Sequence, residues 1–120
     1  MSNDKLQFIE PIVTLVIDGV KYESISIDLV TQNKIEQETG KGYYELLGRT
    51  ASCNIPCGGF LINEIRSIFK VAFPDINDDQ FKEFFIKDRL SVYGAVFDVI
   101  CLPFQAIKVD ESDEPKKKTT

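Results

Sequence analysis

Residues 12–27 read IVTLVIDGVKYESISI and set the architecture of the N-terminal part of the chain. Two runs of β-branched and apolar residues, 12–17 and 20–27, flank the dipeptide Asp18-Gly19. An Asp-Gly pair between such runs is typical of a two-residue hairpin turn, because both turn positions require a positive φ angle. The stretch therefore predicts an antiparallel β-hairpin that turns at Asp18-Gly19.

The second run of this hairpin changes its apolar face partway along. Its large apolar residues fall first on one parity and then on the other: Val20 and Tyr22, then Ile25 and Ile27. A strand turns every side chain to the opposite face when its register slips by one residue. We therefore expect a β-bulge or a sharp twist near Glu23 and Ser24.

Helix start and stop signals follow the hairpin directly. Asp28 is a candidate N-cap for a helix that runs to Thr39, and Gly40 suits the left-handed position after its end. One or two further helical turns are expected over residues 43–47, and Gly48 would close them.

A loop over residues 49–58 should lead into a long helix from about Gly59 to Phe73, which Pro74 would stop. The apolar residues of this helix recur at helical spacing and form one stripe. They are Leu61, Ile65, Ile68, Phe69, Ala72 and Phe73.

Two more helices complete the predicted elements. Asn77 is a good N-cap, and Gln80 three residues on completes a capping-box pattern. A last helix should run from about Leu90 into Pro103, which either kinks the helix or ends it. Its predicted apolar stripe consists of Leu90, Tyr93, Val96, Phe97, Ile100, Cys101 and Phe104.

The chain has 120 residues, a length that suggests a single domain. The expected fold is a mostly helical α+β domain over residues 12–109, with a β-hairpin followed by four or five α-helices. We expect a flexible N-terminus over residues 1–11 and a disordered, charged C-terminal tail over residues 110–120.

Charge and hydropathy argue against two classes of partner. The net charge of −5 and the pI of about 4.7 predict a surface that repels phosphate backbones, so nucleic acid is not an expected partner. No segment reaches the ~18 consecutive apolar residues of a membrane span, so a membrane is not expected either. The polar start, residues 1–7, has no apolar stretch of secretory length, and we expect the protein in the cytosol.

The chain contains no histidine, which removes the commonest general base, the Cys-His and Ser-His pairings and most zinc ligand sets. Cys53 and Cys57 are separated by three residues, whereas a thioredoxin-like redox pair has two, and only Cys101 could add a third thiolate for a metal. The alternative is two thiols in a Pro/Gly-containing loop. We therefore expect a non-catalytic protein without a cofactor or a bound metal.

The cluster Phe81, Phe84 and Phe85 has two interpretations. Its spacing places all three rings on one broad helix face, which suits packing in the core. Alternatively, some of the rings remain partly exposed and anchor a protein partner, because aromatic side chains carry much of the binding energy of interfaces. With Tyr93 and Phe104 of the last helix, these three residues are the candidate partner-binding residues.

The order of elements and several short motifs resemble a known family. After the hairpin come NKIEQETG at 33–40 and YYELL at 43–47, then a helix over 61–73, NDDQF at 77–81 and a closing helix over 90–104. This arrangement resembles the small tail assembly chaperones of long-tailed bacteriophages and the related proteins of gene transfer agents. The likeness covers roughly residues 12–104.

The resemblance implies a phage or prophage protein that binds the tape measure protein, keeps it soluble and helps recruit the major tail protein, which forms the tail tube. It implies a location in the host cytoplasm and absence from the mature virion. Many such proteins also have a longer form made by a ribosomal frameshift, for which the lysine codons at 116–118 could supply the slippery sequence. Copies that bind side by side along the tape measure would gain from weak self-association. The alternative is a small structural virion protein, such as a head–tail connector or a tail completion protein.

Overall fold

The computed structural model describes residues 11–51 and 53–113, with side chains described as far as residue 104. A two-stranded antiparallel hairpin is followed by five helices, which confirms the predicted α+β order of elements. All but one residue of the predicted flexible N-terminus, and residues 114–120 of the predicted charged tail, lie outside the described residues.

The hairpin pairs β1 (Thr14–Ile17) with β2 (Val20–Glu23) in antiparallel register. Asp18 and Gly19 have φ angles of 53° and 78°, the left-handed values that the predicted two-residue turn requires. Alternate side chains of β1 are buried in the core, so one face of the hairpin is apolar and covered.

The strand register breaks just after Ser24, close to the predicted bulge. The Ser24 N–H donates to the Val13 carbonyl at 2.9 Å, but the next such bond runs from the Ile27 N–H to the Pro11 carbonyl, also at 2.9 Å. In an unbroken register the residue before Ile27 would bond to Pro11, so the second side of the hairpin carries one extra residue. The extra residue turns Ile27 into the core, where it is buried.

Helix α1 (Leu29–Thr39) begins and ends where the capping residues predict. The Asp28 carboxylate accepts a hydrogen bond of 3.0 Å from the Thr31 N–H and so satisfies one free donor of the first turn. Gly40 follows the helix with a φ angle of 73°, a left-handed conformation that costs little without a Cβ atom.

Helix α2 (Tyr43–Arg49) continues through Gly48, so the prediction that Gly48 closes it is wrong. Glycine inside a helix costs about 1 kcal/mol relative to alanine, and the complete burial of Leu46 offsets that cost. A side chain of α1 caps the start of this helix, because the Glu36 carboxylate accepts a hydrogen bond of 2.7 Å from the Tyr43 N–H.

Helix α3 (Ile62–Ala72) starts three residues later than predicted, because the backbone N–H groups just before it form hydrogen bonds within turns. The Phe60 N–H bonds to the Cys57 carbonyl, and the Leu61 N–H donates to the Glu64 carboxylate at 2.7 Å. Leu61 is exposed, so its assignment to the buried stripe is wrong. The rest of the predicted stripe is buried: Ile65, Ile68, Phe69, Ala72 and Phe73.

Helix α4 (Asp78–Lys87) opens with the predicted capping box. The Gln80 N–H donates to the Asn77 side chain at 2.8 Å, and the Asn77 N–H donates to the Gln80 side chain at 3.1 Å. Two free donors of the helix start are therefore satisfied by two side chains.

Helix α5 (Arg89–Asp113) does not end at Pro103, which lies inside it, and it extends past the predicted start of the tail at residue 110. Its buried face is also rotated from the predicted stripe, because α3, α4, α2 and β1 contact it from different sides. Leu90 is exposed, while Tyr93, Phe97 and Phe104 are half-buried. The buried residues are Val92, Ala95, Val96, Val99, Ile100 and Cys101.

Helix α3 packs between α1 and α5, and α5 is also contacted by the hairpin, α2 and α4. Among the described residues, no helix combines the length and the apolar character that crossing a membrane requires.

Candidate partner-binding site

The structure divides the five predicted partner-binding residues between core and surface. Phe81 and Phe84 are buried, with 4% and 6% of their surfaces exposed, so the packing interpretation holds for these two rings. Phe85, Tyr93 and Phe104 are half-buried and keep part of their rings at the surface. Only these three are open to direct contact by a partner.

A continuous chain of rings connects the centre of the core to the surface. Its centroid distances are 4.8 Å for Phe69–Phe73, 5.1 Å for Phe69–Phe81, 5.4 Å for Phe81–Phe85 and 5.8 Å for Phe85–Tyr93. All of these distances lie in the range of favourable aromatic pairs. Phe85 and Tyr93 are therefore held in place by rings that are fully packed behind them.

A shallow cleft opens at the surface end of this chain of rings, between the loop that follows α2 and the start of α5. It has a volume of about 190 Å³ and is lined by Ile55, Gly58, Arg89, Leu90 and Tyr93. We call these residues, with Phe85, the loop–helix cleft. Ile55 is 46% exposed and Leu90 is 63% exposed, so the cleft presents large aliphatic side chains beside the two rings.

Arg89 covers the ring of Phe85, with its guanidinium carbon 4.2 Å from the ring centroid. Such a cation–π contact shields part of the aromatic face from water while the cation stays solvated. The cleft therefore combines tyrosine, phenylalanine, arginine and aliphatic side chains. Tyrosine and arginine are among the residue types most enriched at energetically important positions of interfaces.

Phe104 belongs to a different part of the surface. Its ring lies 6.2 Å from that of Tyr43 and 5.5 Å from that of Tyr44, which is 77% exposed. The contacts join α2 to α5, away from the residues that line the loop–helix cleft. The structure therefore brings Phe85 and Tyr93 together and separates Phe104 from them.

A partly buried ionic cluster lies beside the loop that carries Ile55. Arg49 donates two hydrogen bonds of 2.9 Å to the two carboxylate oxygens of Glu64 and a third of 2.9 Å to the Gly59 carbonyl. The Lys41 ammonium lies 3.4 Å from the same carboxylate, and the Arg49 guanidinium stacks 4.9 Å above the Phe60 ring. This cluster ties α2, the loop and α3 together at the edge of the cleft.

Electrostatics within the cluster favour the charged forms of both partners. The hydrogen bonds from Arg49 hold the pKa of Glu64 below its usual range, and they outweigh the opposing effect of burial. The same bonds raise the pKa of Arg49. Both partners of the ion pair therefore stay charged at neutral pH.

The three cysteines occupy different environments. Cys53 is exposed, while Cys57 and Cys101 are buried. Burial, with smaller contributions from Cys101 and Asp98, raises the pKa of Cys57 to about 12, so this thiol is protonated at neutral pH and is a poor nucleophile. In the parts of the chain that the structure describes, no group of three or more Cys, Asp and Glu side chains is placed to hold a metal ion.

The sequence patterns did not identify four residues of the cleft: Ile55, Gly58, Arg89 and Leu90. Leu90 fits the helical period of α5 and was therefore expected in the core, although it lies at the exposed end of that stripe. Ile55 lies in a loop without periodicity, where its carbonyl accepts a hydrogen bond of 2.8 Å from the Gly58 N–H.

Comparisons of this chain with protein-family models, with curated proteins and with solved structures gave no match.

Proposed function

We propose that this protein is a tail assembly chaperone of a long-tailed phage or prophage, which binds the tape measure protein and helps recruit the major tail protein. It acts by binding, and no bond is made or broken. The observation that carries the proposal is the loop–helix cleft, where Phe85, Leu90 and Tyr93 are presented at the surface on a packed frame.

The size and composition of the cleft suit a protein partner. Sites for small molecules and cofactors typically measure about 300–1,000 Å³ and enclose most of the ligand. A shallow cleft of about 190 Å³ with aliphatic and aromatic walls suits individual apolar side chains from a partner instead. An isolated exposed leucine would need no explanation, but a cluster of exposed aliphatic side chains beside two rings does.

A tape measure protein is expected to be a long helical chain with apolar faces, and it needs a partner that covers those faces until assembly. An amphipathic helix presents apolar side chains at intervals of three and four residues, which a groove on a second protein can receive. The motifs at 33–40, 43–47 and 77–81 supply the link to this particular family. The acidic surface, with a net charge of −5, helps keep such a complex soluble.

The proposal places the protein in the host cytoplasm and leaves it out of the mature virion. Weak self-association follows from the same role, because copies bound along one long helix lie side by side and reinforce each other's binding.

The direct test is retention of a co-expressed tape measure fragment by the tagged protein, with Leu90→Asp compared with Leu29→Asp. Both leucines are exposed, by 63% and 80%, and both lie in the first turn of a helix, where an added carboxylate is favourable. Leu29 lies outside the loop–helix cleft and is the matched control. We expect Leu90→Asp to weaken retention by at least about tenfold, the effect of losing one buried anchor.

If Leu90→Asp and Leu29→Asp retained the tape measure fragment equally well, the loop–helix cleft would not be its binding site. If the unmodified protein retained no fragment, the proposed chaperone function would be wrong. Mass spectrometry of purified particles tests the remaining alternative. Stoichiometric amounts of this chain in virions would indicate a structural component such as a connector or tail completion protein.

A further inference from the structure

A second depression lies between the exposed sides of α1 and α3. Its volume is about 420 Å³, and we call it the α1–α3 groove. Lys34 and Glu38 of α1 form one wall, and α3 supplies the other. The α3 side consists of Arg66, Ser67, Lys70 and Val71, and Ile25 and Pro74 lie at the end where α3 finishes.

The residues that line the groove carry a net positive charge, although the net charge of the whole protein is negative. Three of its lining residues are cationic (Lys34, Arg66 and Lys70) and only Glu38 is anionic, whereas the whole chain has 14 Lys and Arg against 19 Asp and Glu. Clustering cations in a concave surface raises the local positive potential above what the net charge suggests.

Two of these cations form no close ion pair. Arg66 donates to the Asp78 carboxylate at 2.8 Å, so its charge is largely compensated. Among the described residues, neither Lys34 nor Lys70 has a carboxylate oxygen within 4.0 Å. By contrast, Lys41 and Lys87 each have such a partner, so the surface does supply carboxylates to other lysines.

The groove also contains apolar surface at one end. Ile25 is 41% exposed, because the register break in the hairpin directs it away from the core, and Val71 is half-buried beside it. The Ile25 N–H is bonded to the Ala72 carbonyl at 2.9 Å, which fixes this apolar end against α3.

This combination favours a peptide over a nucleic acid. No lining residue is aromatic, so bases have no ring to stack on, and the apolar end of the groove has no counterpart in a phosphate backbone. A peptide with carboxylates and an apolar side chain complements both the lysines and the Ile25 end. We propose that the α1–α3 groove binds an acidic segment of a partner protein, with carboxylates on Lys34 and Lys70 and an apolar side chain against Ile25 and Val71.

The proposal is independent of the loop–helix cleft, which shares no lining residue with the groove. It can be tested on the full chain by fluorescence anisotropy with a labelled short peptide of alternating glutamate and leucine. The comparison peptide has lysine in place of glutamate. We expect the glutamate peptide to bind saturably and the lysine peptide not to bind. Binding of the glutamate peptide should weaken as salt is added, because salt shortens the screening length from about 8 Å at physiological ionic strength.

The matched variants are Lys34→Glu/Lys70→Glu in the groove and Lys21→Glu/Lys82→Glu outside it. All four lysines are exposed, and both double variants change the net charge by the same amount. We expect the groove variant to bind the glutamate peptide about tenfold more weakly and the control variant to bind within about twofold of the unmodified protein. Circular dichroism establishes that both variants are folded.

Three results would overturn the proposal. Equal losses in the two double variants would mean that net charge alone attracts the peptide. Equal binding of the lysine peptide, or displacement of the glutamate peptide by single-stranded DNA of equal charge, would mean that the groove does not select an acidic peptide.

The chain's own acidic residues at 110–114 are the competing occupant. A full-length variant with Asp110, Glu111, Asp113 and Glu114 changed to their amides alters the net charge by four, as the Lys21→Glu/Lys82→Glu control does in the opposite direction, so we expect an affinity within about twofold of the unmodified protein. Tightening clearly beyond the effect of that control would show that residues 110–114 occupy the groove, and the assignment to a partner would be wrong.

Discussion

The hydroxyl of Tyr43 donates a hydrogen bond of 2.7 Å to the backbone carbonyl of Val99, 56 residues further along the chain. In a regular helix this carbonyl would accept from the N–H of residue 103, but Pro103 has no N–H. A side chain of α2 therefore supplies the hydrogen bond that α5 lacks. Burial raises the pKa of Tyr43, so the hydroxyl remains protonated and able to donate.

Removing this hydroxyl should destabilise the protein by an amount that depends on Pro103. Tyr43→Phe leaves the buried Val99 carbonyl without a partner, so we expect a loss of about 1–3 kcal/mol in the free energy of unfolding. Pro103→Ala restores a backbone donor, and in that background Tyr43→Phe should cost less than about 1 kcal/mol. Urea denaturation of the four proteins in the cycle measures both values.

Tyr44→Phe is the control for this cycle, because Tyr44 is exposed and adjacent in sequence. It should leave the urea midpoint almost unchanged in both backgrounds. If Tyr43→Phe cost the same with and without Pro103, the two residues would not be coupled and the explanation for the uninterrupted helix would fail.

Glu64→Gln should destabilise the protein at neutral pH by about 1.5–3 kcal/mol, because the partly buried Arg49 loses a charged acceptor that it contacts through two hydrogen bonds. Urea denaturation measures the loss. Glu83→Gln serves as the matched control, since Glu83 contacts Lys87 at 3.7 Å in an exposed pair on one face of α4. An equal shift in the two variants would show that the Arg49–Glu64 pair contributes no more to stability than an exposed pair.

The contribution of Glu64 should also depend on pH in a defined direction. Its pKa in the folded protein is lowered by Arg49, so the ionised carboxylate stabilises the fold fully above the ordinary glutamate value of about 4.3. This contribution is lost as the pH falls through the lowered pKa. The difference in unfolding free energy between the unmodified protein and Glu64→Gln should therefore shrink below about pH 4.3, and a constant difference would contradict the assignment.

Phe81 and Phe85 are adjacent rings with different expected roles. Phe81→Ala removes a buried ring and should cost about 3–5 kcal/mol of stability, whereas Phe85→Ala should cost less than half as much because its ring is half-buried. The half-buried ring of Phe85 contacts Arg89 and Tyr93 of the cleft, so Phe85→Ala should lose tape measure binding while remaining folded. Thermal unfolding measures the loss of stability, and the retention assay measures the loss of binding. A larger stability loss for Phe85→Ala than for Phe81→Ala would contradict the roles assigned to the two rings.

The cysteines should differ sharply in reactivity. Cys53 is exposed, whereas burial protects Cys57 and raises its pKa to about 12, and it also raises the pKa of Cys101. A thiol-specific reagent near pH 8 should modify one thiol per folded chain rapidly and all three in denaturant. Cys53→Ser should abolish the rapid phase, and rapid modification of a second thiol would contradict the buried position of Cys57.

Local signals predicted much of the fold correctly. The Asp18-Gly19 turn, the Asp28 cap and the Asn77 capping box each depend on residues a few positions apart, so their geometry is encoded within a short stretch. The candidate site was predicted only in part, because Phe85 and Tyr93 lie at the surface but Phe81 and Phe84 do not. Periodicity identifies an apolar face, yet it cannot tell which edge of that face a neighbouring helix will cover.

Residue type and spacing were sufficient for the hairpin, the order of the helices and most of their ends, since turns and caps are satisfied by groups close together in the chain. Packing between distant elements settled the rest. The neighbouring elements decided which face of α5 is buried, and they left Leu90 exposed. The helix continues through Pro103 because the Tyr43 hydroxyl donates to the Val99 carbonyl, which Pro103 cannot do. These outcomes depend on which surfaces meet when the core closes, because each buried polar group must find its partner in the packed structure.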